Sequence, residues 1–360
     1  MDRHGGNIFD KRIEHDFSVS LSPLGMPKGV EQAIRDSIEA FSSYPDTNQV
    51  RLRKAIGEAL NVNWNEICCG NGAADLIYRI PRAIKHFANR RNGLIVAPAF
   101  AEYGRSLEES GFQARYHVLD ESSDYVPTDS LIKRIEDENY DMVFISNPAN
   151  PTGRALANEY MNELALVCES NDTFLVVDEC FIELTDSPQN YTLINEIERL
   201  PHSVLLRSFT KTFAMAGLRL GYCICGDTDV AAAIMDSGQP WSISAPSETA
   251  GLAALKEKEY VRNAVMLISA ERARLTEALR AMGLRVTSSD ANYIMFNTKG
   301  SAFDGMEIRE LLIERGILIR DCSNFIGLEK GYYRIAVKGP EENKILIDEL
   351  KRIIPGSVSK

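Results

Sequence analysis

The sequence predicts an α/β protein: a mainly parallel sheet covered on both faces by helices, with a smaller α+β domain built from the two chain ends. Three observations lead there. Between about residues 65 and 225, short β-rich runs alternate with amphipathic helical stretches. The runs are continuously apolar rather than alternating, as in strands buried on both faces. The flanks lose this alternation and read as helices mixed with isolated strands.

Taken in order, residues 27–60 read as two helices separated by Ser42-Ser43-Tyr44-Pro45-Asp46, a turn-rich break. The strands of the central region are Ile67–Cys69, Leu94–Ala97, Met142–Ile145, Phe174–Val177, Ser203–Leu206 and Tyr222–Cys225. Between them, Ala73–Phe87, Thr128–Glu136 and Asn158–Glu169 are long enough for crossover helices. Residues 228–282 are mostly helical, and the amphipathic run Tyr260–Met282 suits a bridge between two domains. Beyond it, Asn292–Phe296, Ile317–Ile319 and Tyr332–Val337 read as strands, with helices at Met306–Glu314 and Glu341–Ile353. The division expected is a large domain over residues 44–255 and a small one from 1–43 and 256–360.

A formal net charge of −11 disfavours nucleic acid, whose phosphates demand a basic face, and an anionic membrane surface. An anionic substrate would therefore need positive charge focused locally. The seven cysteines are odd in number and irregularly spaced, which points to small buried hydrophobes in a reducing cytoplasm rather than disulfides or zinc ligands. No apolar stretch approaches the roughly 20 residues that span a bilayer, and the N-terminus lacks a signal-peptide core. The expectation is a cytoplasmic protein without a metal site.

In open α/β sheets, ligands bind beyond the carboxyl ends of the strands. The segments just past those ends form one polar set: Gly70–Asp75, Pro98–Arg105, Ser146–Gly153, Asp178-Glu179, and Arg207–Lys211 leading to Gly217–Gly221. The demands of pyridoxal 5′-phosphate match it. An amine must form an imine with the aldehyde, and Lys211 supplies one on a hydroxyl-rich loop. The ring nitrogen accepts electrons only when protonated, and a carboxylate at Asp178 keeps it so. The phosphate wants backbone N–H groups at a helix start, and Gly72, Ala73 and Ala74 open one, with Ser208 and Arg219 to complete the cup. Phe100 offers a ring for the pyridine face. Gly70–Asp75 also nearly matches the dinucleotide fingerprint, but Asp75 stands where Gly or Ala is needed.

Asn150-Pro151-Thr152-Gly153, Asp178-Glu179, and Ser208-Phe209-Thr210-Lys211 followed by Gly217-Leu218-Arg219-Leu220-Gly221-Tyr222 resemble the fold type I pyridoxal phosphate enzymes of the aminotransferase class I/II family. The resemblance covers nearly the whole chain. It implies a seven-stranded sheet, Lys211 as the Schiff-base lysine, Asp178 as the pyridinium partner and Asn150 as donor to the ring 3′-oxygen. It also implies Phe100 as the stacking residue and Arg334 as the clamp on the substrate α-carboxylate. A homodimer with shared active sites is implied too, in which Tyr44 reaches the cofactor phosphate of the neighbouring subunit.

Within the family, the chain resembles first the threonine-phosphate decarboxylases of cobalamin biosynthesis and next the histidinol-phosphate aminotransferases. The first is suggested by Arg3-His4-Gly5-Gly6-Asn7, Ser22-Pro23-Leu24-Gly25-Met26-Pro27, Pro240–Ala245 and Ile319–Leu328, and by Phe181 where aminotransferases carry Tyr. It implies a phosphorylated amino acid substrate, L-threonine O-3-phosphate or its phosphoserine homologue, gripped by Arg320 and the His4, Gly5, Gly6, Asn7 loop, with Gly25 nearby. The decarboxylases' Ser-Ala-Asn-x-Asn-Pro is Ser18-Val19-Ser20-Leu21-Ser22-Pro23 here, which leaves the exact substrate open. Transamination of a phosphorylated amine remains the alternative reaction, since the two share nearly every residue.

Overall fold

The structure is a computed structural model, and it describes residues 5, 6, 8 and 12–353. A seven-stranded sheet forms its centre, in the spatial order Ile67–Asn71, Leu220–Cys225, Ser203–Ser208, Phe174–Asp178, Met142–Ser146, Asn92–Ala97, Gln113–Val118. Leu220–Cys225 runs antiparallel to both its neighbours, and the other pairings are parallel.

The continuous apolar runs all fall in this sheet because both of its faces are covered. Val143, Leu175 and Leu205 project into one core cluster, while their chain neighbours Phe144, Val176 and Leu206 project into the other. Full burial of each such side chain contributes about 1.5–3 kcal/mol. Gln113–Val118, absent from the strands expected above, is the exception that explains itself. It pairs on one side only, and its residues are exposed or half-buried. An edge strand of this kind carries no continuous apolar signal. The helix Glu102–Glu109, also absent above, is short and strongly charged.

A third core cluster lies in a separate four-stranded antiparallel sheet, ordered Arg320–Asp321, Tyr332–Ala336, Tyr293–Asn297, Arg285–Val286. The chain ends do meet: His15–Asp16 pairs in parallel with Ile317–Leu318. The helix Lys28–Asp36, grouped above with the smaller domain, instead buries Val30 with Leu52 and Ile56 in the core of the large sheet. The long helix Lys258–Ala281 packs against two core clusters. Tyr260 and Val261 touch the large core, whereas Ile268, Leu275 and Leu279 sit in the third. All seven cysteines are free and buried. Among the described residues, no helix is long and apolar enough to cross a membrane.

One buried ion pair ties the sheet to the loop that leaves it. Arg207 donates to Glu179 Oε2 through Nε at 3.0 Å and Nη2 at 2.8 Å, and Thr192 Oγ1 lies 2.9 Å from both Glu179 oxygens. Removing one partner of a buried pair leaves the other charge uncompensated. Arg207→Met should therefore cost about 3–5 kcal/mol in urea unfolding, and pairing it with Glu179→Leu should recover most of the loss.

Candidate active site

Three parallel strands end side by side and deliver the chemistry. Ser146 is in register with Asp178, and Asp178 with Leu206, so the residues that follow each strand emerge at one edge. A cavity of about 290 Å³ opens there, lined by Lys211, Asp178, Asn150, Phe100, Arg320 and Arg334, among others. Gly5 of the N-terminal segment closes one side.

Lys211 lies in the short helical turn Phe209–Thr212, capped by Ser208, whose Oγ accepts from the Thr210 N–H at 3.2 Å. Its ammonium makes no hydrogen bond or ion pair among the described residues, and the Phe181 ring lies 5.6 Å away. Burial, reinforced by the like charges of Arg334 and Arg219, pulls its pKa down to about 8. Asp178 is committed differently. Its Oδ2 accepts from Tyr103 Oη at 2.6 Å and its Oδ1 from the Cys180 N–H at 2.9 Å. Burial first, and then the adjacent Asp178 charge, hold the Tyr103 phenol protonated well above its ordinary range.

Of the residues expected to hold a phosphate, Ala73, Ala74, Ser208 and Arg219 line the cavity, and Gly72 stands just behind them as the N-cap of the helix. Helix Ala73–Ile84 begins at Gly72 with no side-chain cap; the Gly72 and Asp75 N–H groups bond to Gly70 O and Gly72 O, which leaves those of Ala73 and Ala74 to face the cavity. Gly72 has φ +77°, and a Cβ there would collide with the Arg219 guanidinium. Arg219 itself takes a left-handed φ of +58°, a conformation that costs a non-glycine residue about 1–2 kcal/mol. A Cβ on Gly221 would lie 2.5 Å from the Ala73 nitrogen, so that glycine lets the strand approach the helix start. Ser208 and Thr210 bring two hydroxyls to the same wall.

Opposite the lysine, Arg334 reaches across from the smaller sheet. Its Nη1 donates to Asn150 Oδ1, and its Nη2 to Ser18 O at 2.9 Å. Both partners are neutral, and no carboxylate pairs with this buried cation among the described residues. The bond also orients Asn150, leaving the two N–H donors of its amide for a ligand. Arg320 donates to Asn324 Oδ1 at 2.8 Å and lies 5.2 Å over Phe325.

Not every residue expected at the site arrives there. His4 and Asn7 lie outside the described residues. Gly6 does not line the cavity, but its N–H donates to Ser18 Oγ at 2.8 Å and so anchors the loop that brings Gly5 in. Gly25 stands apart: its carbonyl accepts from Tyr260 Oη at 2.5 Å, away from the cavity. Tyr44 is 84% exposed and rests on Trp241, at 4.9 Å between rings, outside this chain's cavity. Tyr103, Cys180, Thr210, Asn324 and Phe325 line the cavity without having been expected in a role there. Tyr103 lies three residues after Phe100, a spacing that nothing in the local pattern connects to Asp178.

The set fits pyridoxal 5′-phosphate: an unpaired amine of lowered pKa, a fixed carboxylate, a ring, and an uncapped helix start opened by glycine. The profile of the aminotransferase class I and II family matches residues 16–350. A threonine-phosphate decarboxylase of Salmonella typhimurium is 32% identical, over 98% of this chain and 97% of that one. A histidinol-phosphate aminotransferase of Ruminiclostridium cellulolyticum is 31% identical, over 92% and 90%. The crystal structure of a histidinol-phosphate aminotransferase from Clostridium acetobutylicum superposes with a TM-score of 0.86 at 31% identity, covering 94% of this chain and 98% of that one.

Protonated below about pH 8 and neutral above it, the Lys211 amine should make pyridoxal phosphate uptake by the cofactor-free protein accelerate with pH through a midpoint near 8. Stopped-flow absorbance would follow it; an ordinary lysine would put that midpoint at about 10.4. Lys211→Ala should abolish the visible absorption of the imine between this lysine and the coenzyme.

Proposed function

The chain belongs to the aminotransferase class I and II family, and from that premise we propose that it decarboxylates a phosphorylated amino acid, L-threonine O-3-phosphate first and phosphoserine as the smaller alternative. The observation that carries this is a pair of buried arginines, Arg334 and Arg320, in the same cavity as Lys211. A substrate with a carboxylate and a phosphate brings an anionic group for each.

Bound in this cavity, pyridoxal phosphate supplies a ring that accepts the electron pair released when a bond to Cα breaks. The protein's own groups decide which bond that is. Lys211, neutral in a useful fraction near pH 8, holds the coenzyme and then yields to the substrate amine. Asp178, with a donor on each oxygen, keeps the proton on the ring nitrogen. Asn150, its Oδ1 held by Arg334, would donate to the 3′-oxygen, and Gly72, Ala73, Ala74, Ser208 and Arg219 would hold the phosphate. Arg334 takes the substrate carboxylate, and Arg320 with the Gly5 segment takes the substrate phosphate from the other side. A substrate held at both ends would lose rotation about Cα, so the two arginines would decide which of its bonds is presented for cleavage. Lys211 is also the group placed to return a proton to Cα.

Phe181 supports the same reading. Where aminotransferases of this family carry a Tyr, this ring offers no hydroxyl to the coenzyme and packs instead on Tyr293 at 4.9 Å. Transamination is the second reading, because the histidinol-phosphate aminotransferases are matched at nearly the same identity. The branch resembled belongs to cobalamin biosynthesis, and that pathway is part of the proposal, as is a cytoplasmic location, to which seven free thiols are suited. So is a homodimer. Tyr44, Trp241, Ile38 and Phe41 are all exposed, an apolar face that a second copy would cover while Tyr44 reaches its coenzyme phosphate.

Incubation with phosphothreonine should release CO₂ and leave the visible band unchanged after turnover. Accumulation of the coenzyme's amine form, regenerated by 2-oxoglutarate, would establish transamination instead. Run beside it, phosphoserine should differ by about fourfold in kcat/KM, since one buried methyl is worth roughly 0.8 kcal/mol.

A further inference from the structure

Tyr103 is 1% exposed and is held by rings on two sides. It stacks on Phe144 with centroids 5.1 Å apart, and it meets Phe100 edge-on at 5.9 Å. Its single polar atom points at Asp178, to which it donates at 2.6 Å. The other Asp178 oxygen takes the Cys180 N–H at 2.9 Å. The terminal torsion of an aspartate is broad and soft, so a carboxylate held by one bond can swing. With a directional donor on each oxygen, its plane is set. The titratable groups facing Asp178 are Tyr103, Cys180, Tyr293 and Lys211. Of these, Tyr103 is the one whose hydroxyl bonds the carboxylate directly while its ring touches Phe100.

We propose that Tyr103 is a positioning residue for the coenzyme: it fixes the plane and tempers the charge of the Asp178 carboxylate, and it ties that carboxylate to Phe100. One side chain thus sets both the partner of the ring nitrogen and the ring on the coenzyme's face. The proposal rests on the reading of the cavity as a pyridoxal phosphate site.

Tyr103→Phe keeps the ring packing and deletes only the donor. The dissociation constant for pyridoxal phosphate, followed by absorbance titration, should rise about tenfold, which is within what a hydrogen bond to a charged group is worth. The pH midpoint of the bound coenzyme's visible band should move upward, because a less neutralised carboxylate raises the proton affinity of the nitrogens it faces. In an Asp178→Asn background the same change should leave the dissociation constant within about twofold, since Tyr103 acts through Asp178. Wild-type behaviour of Tyr103→Phe in both readouts would overturn the proposal, and so would losses that simply add in the double variant. A wild-type protein that takes up no coenzyme would instead overturn the reading of the cavity.

Discussion

An amine and a carboxylate share one buried cavity here without pairing with each other, and the rest of the site depends on that separation. Were Lys211 to close on Asp178, the opposite charge would raise the lysine's pKa and remove both groups from chemistry. The structure avoids this by giving the carboxylate other partners. Tyr103 and the Cys180 N–H occupy its two oxygens, while the Phe181 ring stands beside the amine. Lys211 is left buried among like charges, with its pKa pulled down to about 8.

The fold supplies this arrangement through register rather than through any one loop. Ser146, Asp178 and Leu206 lie abreast at the carboxyl edge of the sheet, so three separate chain segments present their first irregular residues to the same space. The antiparallel strand Leu220–Cys225 serves a different purpose. It brings Gly221 against Ala73 and starts just after Arg219, whose guanidinium fills the room that Gly72 leaves by lacking a Cβ. The smaller sheet contributes Arg334 and Arg320 from adjacent strands, paired directly with each other in register. The two cations therefore arrive together, facing a cavity lined also by segments that leave the large sheet and by Gly5 and Ser18–Ser20 of the N-terminal segment.

Much of this was legible in the residues. The buried strands announce themselves because a parallel strand covered on both faces has no polar side to conceal. Lys211, Asp178, Asn150, Phe100 and Arg219 stand where strand ends lead, and the structure brings them to one cavity together with Arg320 and Arg334. What escaped was either weakly patterned or remote. Gln113–Val118 is an edge strand without an apolar run. Lys28–Asp36 has one buried residue, too little to say which core it joins. Gly25 belongs to a motif near the site, yet its carbonyl turns to Tyr260.

The sequence by itself determined the alternation of strands and helices and the coenzyme class, and it singled out Lys211 as the candidate amine. Those arise from local properties: apolar periodicity, turn-forming glycines, and reactive side chains placed just after strands. Only the tertiary structure decided that Tyr103 and Asp178 meet, that Arg334 bonds neutral oxygens alone among the described residues, and that Tyr44 lies outside its own cavity. Each of those is a pairing across 75 or more residues, or the lack of one, and no local period encodes it. It is set by which side chains the packed sheets and their cores bring within hydrogen-bonding distance.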